Sequence, residues 1–477
     1  MSLHPSHTFG ATTGDVTLRD VSPAEQEGTP QFVTSAPLPN KVGFAFMICF
    51  LFLLYSRILD FFVPYLHLPI ILASTALLLL FLSGGIRSVL QSTAGKLLLG
   101  FSVWLCLAVP TSVWRGGSFQ VLTDEWLRSF ATFLIVGGLL LRFSQLRALL
   151  SALAWAFLAA GIMVLVIGQT WEGRLTLPTG LYSGPNEVAM AMLAGCVFWW
   201  WKVTKPSTSA LGRVLSAACL LPVLYVIPKT ASRGGLLAAV VLFPFLLARR
   251  MGRGRILVML AVLGGILVGS LFLPKQLKDR FATMIPGASD EAPTDEESAR
   301  IQEEARGSTE ERWYLLKTSL ALTLQHPVFG VGPGQFEVAE NDRAEIQGLP
   351  KGTWHGTHNT YTQISSEDGI PALVLYVACM VWCWRELLRI ERRCKSVGTP
   401  LATEMLSAAF TLRAFLLVQT VYFAFAHLGY EVFFPTAAGM IFALSKTAKV
   451  ELGEDRLVTS DSGEERTTES ELGFSPS

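Results

Sequence analysis

The sequence predicts an all-α polytopic membrane protein with about twelve transmembrane helices and one large extramembrane loop between the ninth and the tenth. Three observations predict it. Of 477 residues, 51% are hydrophobic and only 16% charged, whereas ordinary soluble domains carry about 25% charged residues. Apolar runs long enough to cross roughly 30 Å of hydrocarbon, near 20 residues each, recur along the chain. The basic residues alternate between successive connections, as the positive-inside bias requires.

The runs are 42–60, 66–83, 96–113, 124–141, 147–168, 186–201, 211–228, 234–249, 255–273, 366–384, 403–425 and 428–446. The sixth and eighth are short. Only Ala426–Glu431 separates the last two, so eleven spans is an alternative count. With the N-terminus in the cytoplasm, the inner connections hold Arg87 and Lys96; Arg142 and Arg147; Lys202, Lys205 and Arg213; Arg249, Arg250, Arg253 and Arg255; and Arg385, Arg389, Arg392, Arg393 and Lys395. The short outer connections hold only Arg57, Arg115, Arg174, Lys229 and Arg233. This orientation places both termini inside and the long loop outside.

Five segments follow: a disordered tail at 1–40, spans one to nine over 41–273, the outer loop at 274–365, spans ten to twelve over 366–446, and an acidic disordered tail at 447–477. Residues 1–40 have neither a basic n-region nor an apolar h-region, so they do not read as a signal peptide. Six of the seven cysteines fall in apolar spans and Cys394 in a basic connection, which argues against a disulfide framework. Cys379 and Cys383, one helical turn apart, read as packing, since two ligands are too few for a metal.

Within the outer loop, 286–311 is rich in Asp, Glu, Pro, Ser and Gly and reads as flexible. A helix is expected at 309–325, capped by Ser308 or Thr309. Its stripe of Trp313, Leu316, Leu320 and Leu324 is suited to a membrane surface or to the bundle. Phe329–Phe336 is glycine-rich without the spacing of a nucleotide fingerprint. It reads as a tight turn, or else as amides lined up to meet an anion.

The polar run from Trp354 to Gly369 stands where this loop re-enters the membrane. It holds His355, His358 and Asn359, then Glu367 and Asp368 at the start of span ten, where they can complement the helix dipole. An imidazole at a membrane mouth can exchange a proton near neutral pH, though a surface histidine often does nothing more. Two histidines without a third ligand do not make a metal site. Arg233 begins span eight, Arg312 the loop helix, and Arg174 precedes Asn186 at the start of span six. Each can bind phosphate through its planar fork, and each can instead snorkel to headgroups or pair with a nearby carboxylate.

Together, Tyr182-Ser-Gly-Pro-Asn-Glu-Val-Ala189, Ser232-Arg-Gly-Gly235, Arg312-Trp313, His326-Pro-Val-Phe-Gly-Val-Gly-Pro-Gly-Gln-Phe336, His358-Asn-Thr-Tyr361 and Glu367-Asp-Gly-Ile370 resemble the O-antigen ligase and O-antigen polymerase superfamily of bacterial membrane glycosyltransferases. The resemblance covers roughly 40–446. It implies a C-type glycosyltransferase fold in the bacterial inner membrane. It also implies transfer of a glycan from an undecaprenyl-diphosphate carrier to a sugar hydroxyl on a lipid or growing chain at the outer face, with inversion. No metal, nucleotide or other cofactor is implied, and no nucleic-acid partner. By position, Arg233, Arg312 and His358 correspond to the catalytic residues, with Arg174, Asn186, Asn359 and Glu367 as candidate substrate contacts. The alternative is a transporter or flippase of lipid-linked oligosaccharide. A transporter favours internal repeats and charges at the bilayer midplane. No repeat is visible, and Arg413 is the nearest candidate for an embedded charge.

Overall fold

The computed structural model describes residues 38–59, 64–171, 174–178, 180–248, 296–346, 348 and 352–453. The expected span 255–273 and nearly all of both expected tails lie outside these residues.

Apolar runs become helices because a backbone in hydrocarbon must satisfy its own hydrogen bonds. Eleven of the expected spans coincide with helices. In chain order these are α1 (Leu38–Ser56), α2 (Leu68–Leu82), α4 (Thr93–Ala108), α6 (Leu127–Leu139), α7 (Phe143–Ile167), α8 (Pro185–Thr204), α9 (Ala210–Lys229), α10 (Arg233–Ala248), α14 (Gly369–Val397), α15 (Pro400–Tyr422) and α16 (Phe433–Glu451). Among the described residues, six helices are long and apolar enough to cross a membrane alone. A seventh span is possible if α2 and the short α3 (Gly85–Gln91), bent by 89° at their junction, count as one. The chain is therefore a helical, multi-pass membrane protein. Among the described residues, the strand content is one two-stranded hairpin, β1 (Gln169–Trp171) and β2 (Arg174–Thr176), antiparallel with Thr170 opposite Leu175.

The core centres on α8, a helix short in apolar length but buried almost throughout, from Val188 to Phe198 and at Trp199 and Trp201. It packs against α7, α9, α10 and α15. At the basic end of the bundle, α14 runs on to Val397, so Arg385 to Lys395 lie on a helical extension and not in a loop. There Arg413 pairs with Glu391 at 3.3 Å, and Arg389 with Glu386 at 2.9 Å. The candidate embedded charge, on α15, is thus paired with a carboxylate of α14, the helix that carries the basic cluster.

Two expectations about the outer loop change. Of the stretch 286–311 expected to be flexible, 286–295 lies outside the described residues and 296–311 is helical: α11 runs Glu296–Gln325. Its Glu, Ala, Arg and Gln content is strongly helix-forming, and the lone Gly307 does not outweigh it. Ser308 and Thr309 therefore sit inside a helix and do not cap it. Of the two places open to the stripe, Trp313, Leu320 and Leu324 are exposed and do not pack on the bundle, while a different face, with Leu315 and Leu322, packs on Val331, Phe336 and Ala339.

The start of span ten also differs. A short helix, α13 (Thr360–Glu367), ends at a break, and α14 begins at Gly369 with φ +85°. A Cβ at Gly369 would stand 2.0 Å from the Val328 carbonyl oxygen, so only glycine fits this close approach. Glu367 and Asp368 thus lie at the end of one helix and at the joint before the next. They are not dipole partners in a first turn.

Candidate active site

The glycine-rich stretch is a turn: Gly330, Gly332 and Gly334 all have positive φ, at 64°, 110° and 70°. Its amides also meet a carboxyl group, that of the chain's own Glu367. The Gly334 amide donates to Oε2 at 3.1 Å and the Phe336 amide to Oε1 at 3.3 Å. The Tyr430 hydroxyl is 2.8 Å from both Glu367 Oε2 and Asp368 Oδ2. Backbone bonds from Val331 to Ser366 and from Gly332 to Glu367 complete the seam. Trp104 seals the edge, stacking on Phe329 at 5.0 Å and donating to the Asp368 carbonyl at 2.9 Å. Glu367 is buried, and its carboxylate faces this scaffold.

Asn359 has a similar internal duty. Its Oδ1 caps α13 by accepting from the Tyr361 and Thr362 amides at 3.0 and 3.1 Å, and its Nδ2 donates to the Ala424 carbonyl at 3.3 Å. The cap fixes where α13 starts. His358, immediately before it, takes a left-handed backbone with φ 50°, uncommon for a residue with a Cβ.

His358 lies against His427, their ring centroids 5.2 Å apart and nearly perpendicular. Burial, then the neighbouring His427 and Arg312, with smaller effects from His355 and Arg174, push its pKa down to about 3. His358 is therefore a neutral imidazole facing a positive field. His427 is also pushed down, chiefly by burial and then by His355 and Arg312, and its buried Nδ1 has no hydrogen-bond partner. His355 is exposed and paired with Glu311 of α11.

The arginines converge from three elements. Arg233, the first residue of α10, donates to Thr309 Oγ1 at 2.6 Å and to Ser308 Oγ at 3.3 Å. Those hydroxyls sit one helical turn before Arg312 on α11, so the two arginines meet on one side of that helix. Arg312 lies within electrostatic reach of His358, His427 and Glu187. Arg174, on β2, donates to the Thr230 carbonyl at 3.2 Å and to Asn186 Oδ1 at 3.1 Å. Ser232 Oγ donates to that same Asn186 oxygen at 2.8 Å while accepting from the Gly235 amide at 3.1 Å as the cap of α10. Asn186 thus ties Arg174 to the element that carries Arg233, and the Tyr422 hydroxyl bonds the Asn186 carbonyl.

All seven residues singled out from the sequence fall in this region, but in two groups. Arg174 and Arg312 lie within electrostatic reach of His358, and Arg233 reaches α11 one turn before Arg312. Asn186, Asn359 and Glu367 hold those elements in place. The sequence reading missed His427, Tyr422 and Tyr430. All three come from the connection between α15 and α16 or its edge, a run of mostly apolar residues, 423–432, that the sequence reading treated only as a brief turn. The available signal was His427 itself, one of only seven histidines in the chain. Among the described residues, no three His, Cys, Asp or Glu side chains are grouped as a metal would require.

The family model described as O-antigen ligase matches residues 215–377, a segment that holds Arg233, Arg312, His358, the glycine turn and Glu367, but not Trp104 or Tyr430. The match agrees with the resemblance that the motifs carry, over that segment of the chain. No curated protein matches it. One solved chain, from a structure described as "Structural coordination of polymerization and crosslinking by a peptidoglycan synthase complex", is similar at 15% identity and a TM-score of 0.42. The match covers 75% of this chain and 96% of that one, and the likeness is too slight to carry function across.

Proposed function

We propose that this protein transfers a glycan from an undecaprenyl-diphosphate carrier to a sugar hydroxyl on a lipid-borne or glycan acceptor at the outer face of the bacterial inner membrane, as an O-antigen ligase or polysaccharide polymerase. What supports this reading is a half-buried imidazole, kept neutral by burial and its cationic neighbours, with Arg312 and Arg174 in electrostatic reach, in a chain whose residues 215–377 match the O-antigen ligase family model. The acceptor oxygen attacks the anomeric carbon as the bond to the diphosphate oxygen breaks. The electron pair leaves with the lipid diphosphate, and His358 takes the acceptor's proton. Negative charge grows on the leaving diphosphate, and fixed guanidinium donors in a dry site stabilise it. Arg233 and Arg312 take that role, with Arg174 beside them. A single displacement inverts the anomeric centre.

Burial and the arginine field keep the resting imidazole unprotonated. The bound diphosphate offsets that field, raises the imidazole's proton affinity and makes His358 a better base once donor is in place. The diphosphate therefore switches the base on as it binds. In this reading Asn186, Asn359 and Glu367 are positioning residues and do not touch the substrate.

The test is transfer by purified protein from an undecaprenyl-diphosphate-linked glycan to a panel of acceptors in the presence of EDTA. The expected result is transfer by the wild type and its abolition in His358→Ala and Arg312→Ala, with expression retained. No transfer to any acceptor, together with movement of the lipid across proteoliposomes, overturns the enzyme reading in favour of a flippase.

A further inference from the structure

A cavity of about 320 Å³ opens beside the glycine turn and includes none of the arginines or histidines of the candidate active site. Ligand pockets usually run from roughly 300 to 1,000 Å³, so this one suits a small polar unit and not a lipid. Its walls come from Trp114 and Gly117, before and within α5 (Arg115–Val121), from Gln335 of the glycine turn, from Glu337 of α12 (Phe336–Ile346), and from Trp354.

These walls are held from behind. The Val113 amide donates to the Val331 carbonyl at 3.0 Å and Ser118 Oγ to the Pro333 carbonyl at 3.0 Å, which pins α5 to the glycine turn. On the far side the Thr353 amide donates to Glu340 Oε2 at 2.9 Å and the Gly352 amide to Asn341 Oδ1 at 3.1 Å, which ties the segment before Trp354 to α12.

Two features point to a ligand. Both indoles are displayed: Trp114 and Trp354 are each more than half exposed. Trp354 also has φ 54°, a left-handed backbone that is costly for a bulky residue and persists where function uses it. The second feature is Gln335, only 2% exposed. Its Nε2 donates to the Pro333 carbonyl at 3.2 Å, while its buried Oε1 has no hydrogen-bond partner. An unpaired buried acceptor is destabilising and rare in native structures. Gly117 brings the two features together, since a Cβ there would stand 2.6 Å from the Trp114 ring and 2.8 Å from the Gln335 amide nitrogen. A hydroxyl group that enters beside Trp114 is thus brought to the unpaired oxygen.

This combination selects a ligand class. Among the described residues no lysine or arginine lines the cavity, so it offers a phosphate no cation. Apart from the indoles, its apolar side chains are Val121 and Val338, too little wall for an acyl chain. A pyranose suits it: the C–H face of the ring lies on the negative face of an indole, and the hydroxyls donate to amide and carboxyl oxygens. Glu337 supplies a second acceptor. It is within electrostatic reach of His355, whose ring centroid is 6.4 Å from that of His358, so the cavity lies a short way from the imidazole, past His355.

We propose that this cavity is a carbohydrate subsite, which holds one sugar ring of the glycan, remote from the bond being made, against Trp114 and Trp354 with its hydroxyls on Gln335 and Glu337. The proposal rests on the transfer reading above and goes beyond it. Transfer requires only that the two reacting sugars be held, whereas this subsite adds a second grip on the chain and makes binding depend on a sugar that does not react.

The test needs neither turnover nor lipid. The full-length protein in nanodiscs is presented to an array of lipid-free bacterial oligosaccharides, and the best binder is titrated by calorimetry. The wild type is expected to bind at least one glycan. Trp114→Ala and Trp354→Ala should each weaken that binding about tenfold, as loss of a central aromatic anchor does, and Trp354→Tyr, which keeps a ring, should restore most of it. Gln335→Met removes the unpaired oxygen, and the Pro333 carbonyl keeps Ser118 as a donor. It should weaken binding severalfold without lowering the melting temperature, whereas a merely structural glutamine would show the reverse. His358→Ala should leave the affinity unchanged. No binding to any glycan by the wild type, full binding by both Ala variants, a Gln335→Met protein that loses stability but not affinity, or loss of binding in His358→Ala overturns the subsite. A protein that binds through these residues and transfers nothing overturns the proposed reaction alone.

Discussion

Replacing Glu367 by Gln separates a scaffold from a substrate contact. The carboxylate oxygens accept from the Gly334 amide, the Phe336 amide and the Tyr430 hydroxyl. A glutamine keeps one oxygen and turns the other position into a donor. If its oxygen stays on the Tyr430 and Gly334 side, the new NH₂ points at the Phe336 N–H, and two buried donors face each other. A buried donor left unsatisfied costs about 1–3 kcal/mol, so the expected destabilisation is ~2 kcal/mol. Tyr430 retains Asp368 as a second acceptor, which limits the damage to the glycine turn. The assay is thermal unfolding in detergent, paired with the donor KM of transfer. The expected outcome is a melting temperature lowered by several degrees, with kcat reduced because the turn no longer fixes the break before α14. Glu367→Ala removes every acceptor and should cost more. An unchanged melting temperature with a raised donor KM would show that Glu367 meets substrate, and the scaffold argument would be wrong.

Other perturbations test the remaining geometry. Because the free protein's His358 is held near pH 3, its base form is fully present from pH 8 down to about 5. The kcat/KM profile should therefore stay flat across that range, since it reports the free enzyme. A limb at pH 6–7, where an ordinary histidine titrates, would contradict the burial and field argument. Asn359→Ala should cost about 1 kcal/mol as a lost helix cap and lower kcat by displacing His358, and Asn359→Ser should restore both. A substrate-binding amide would not be rescued by serine. Gly330→Ala should yield no folded protein, because its Cβ would lie 2.2 Å from the Glu367 carbonyl carbon at φ +64°. Gly348→Ala, at φ +74° in open space, should cost only ~1 kcal/mol, measured by the same melting assay.

The membrane helices were legible because hydrophobic length is a local property, written in consecutive residues. Ser232, Arg233, Arg312 and His358 were legible as motifs for the same reason. What sequence could not show is pairing at a distance. Glu367 is acidic beside a glycine, and nothing nearby says that its partners are Gly334, Phe336 and Tyr430. Asn359 looked like a substrate amide because its neighbour His358 did, yet its partners are the next two amides of its own helix. His427 stood in the brief Ala426–Glu431 turn between two spans, where nothing in its neighbours ties it to His358. The acidic stretch 296–311 misled for the opposite reason. Its charge argued for disorder, while its residue types are strong helix formers.

The bonds from Arg233 to Ser308 and Thr309 bear on how a donor arrives. With no diphosphate present, these two hydroxyls occupy guanidinium donors of the kind that would meet phosphate oxygens, so the cation is never left stripped of partners next to hydrocarbon. Under the proposed transfer, a lipid diphosphate would enter by ligand exchange, not by filling a void. The net cost of each displaced neutral bond is small, about 1 kcal/mol, and charge-assisted bonds to phosphate are stronger. The released hydroxyls sit on α11, so in that reading the exchange would loosen the hold of α10 on the loop helix as the carrier docks. Carrier affinity and the freedom of that helix would then be coupled through two side chains.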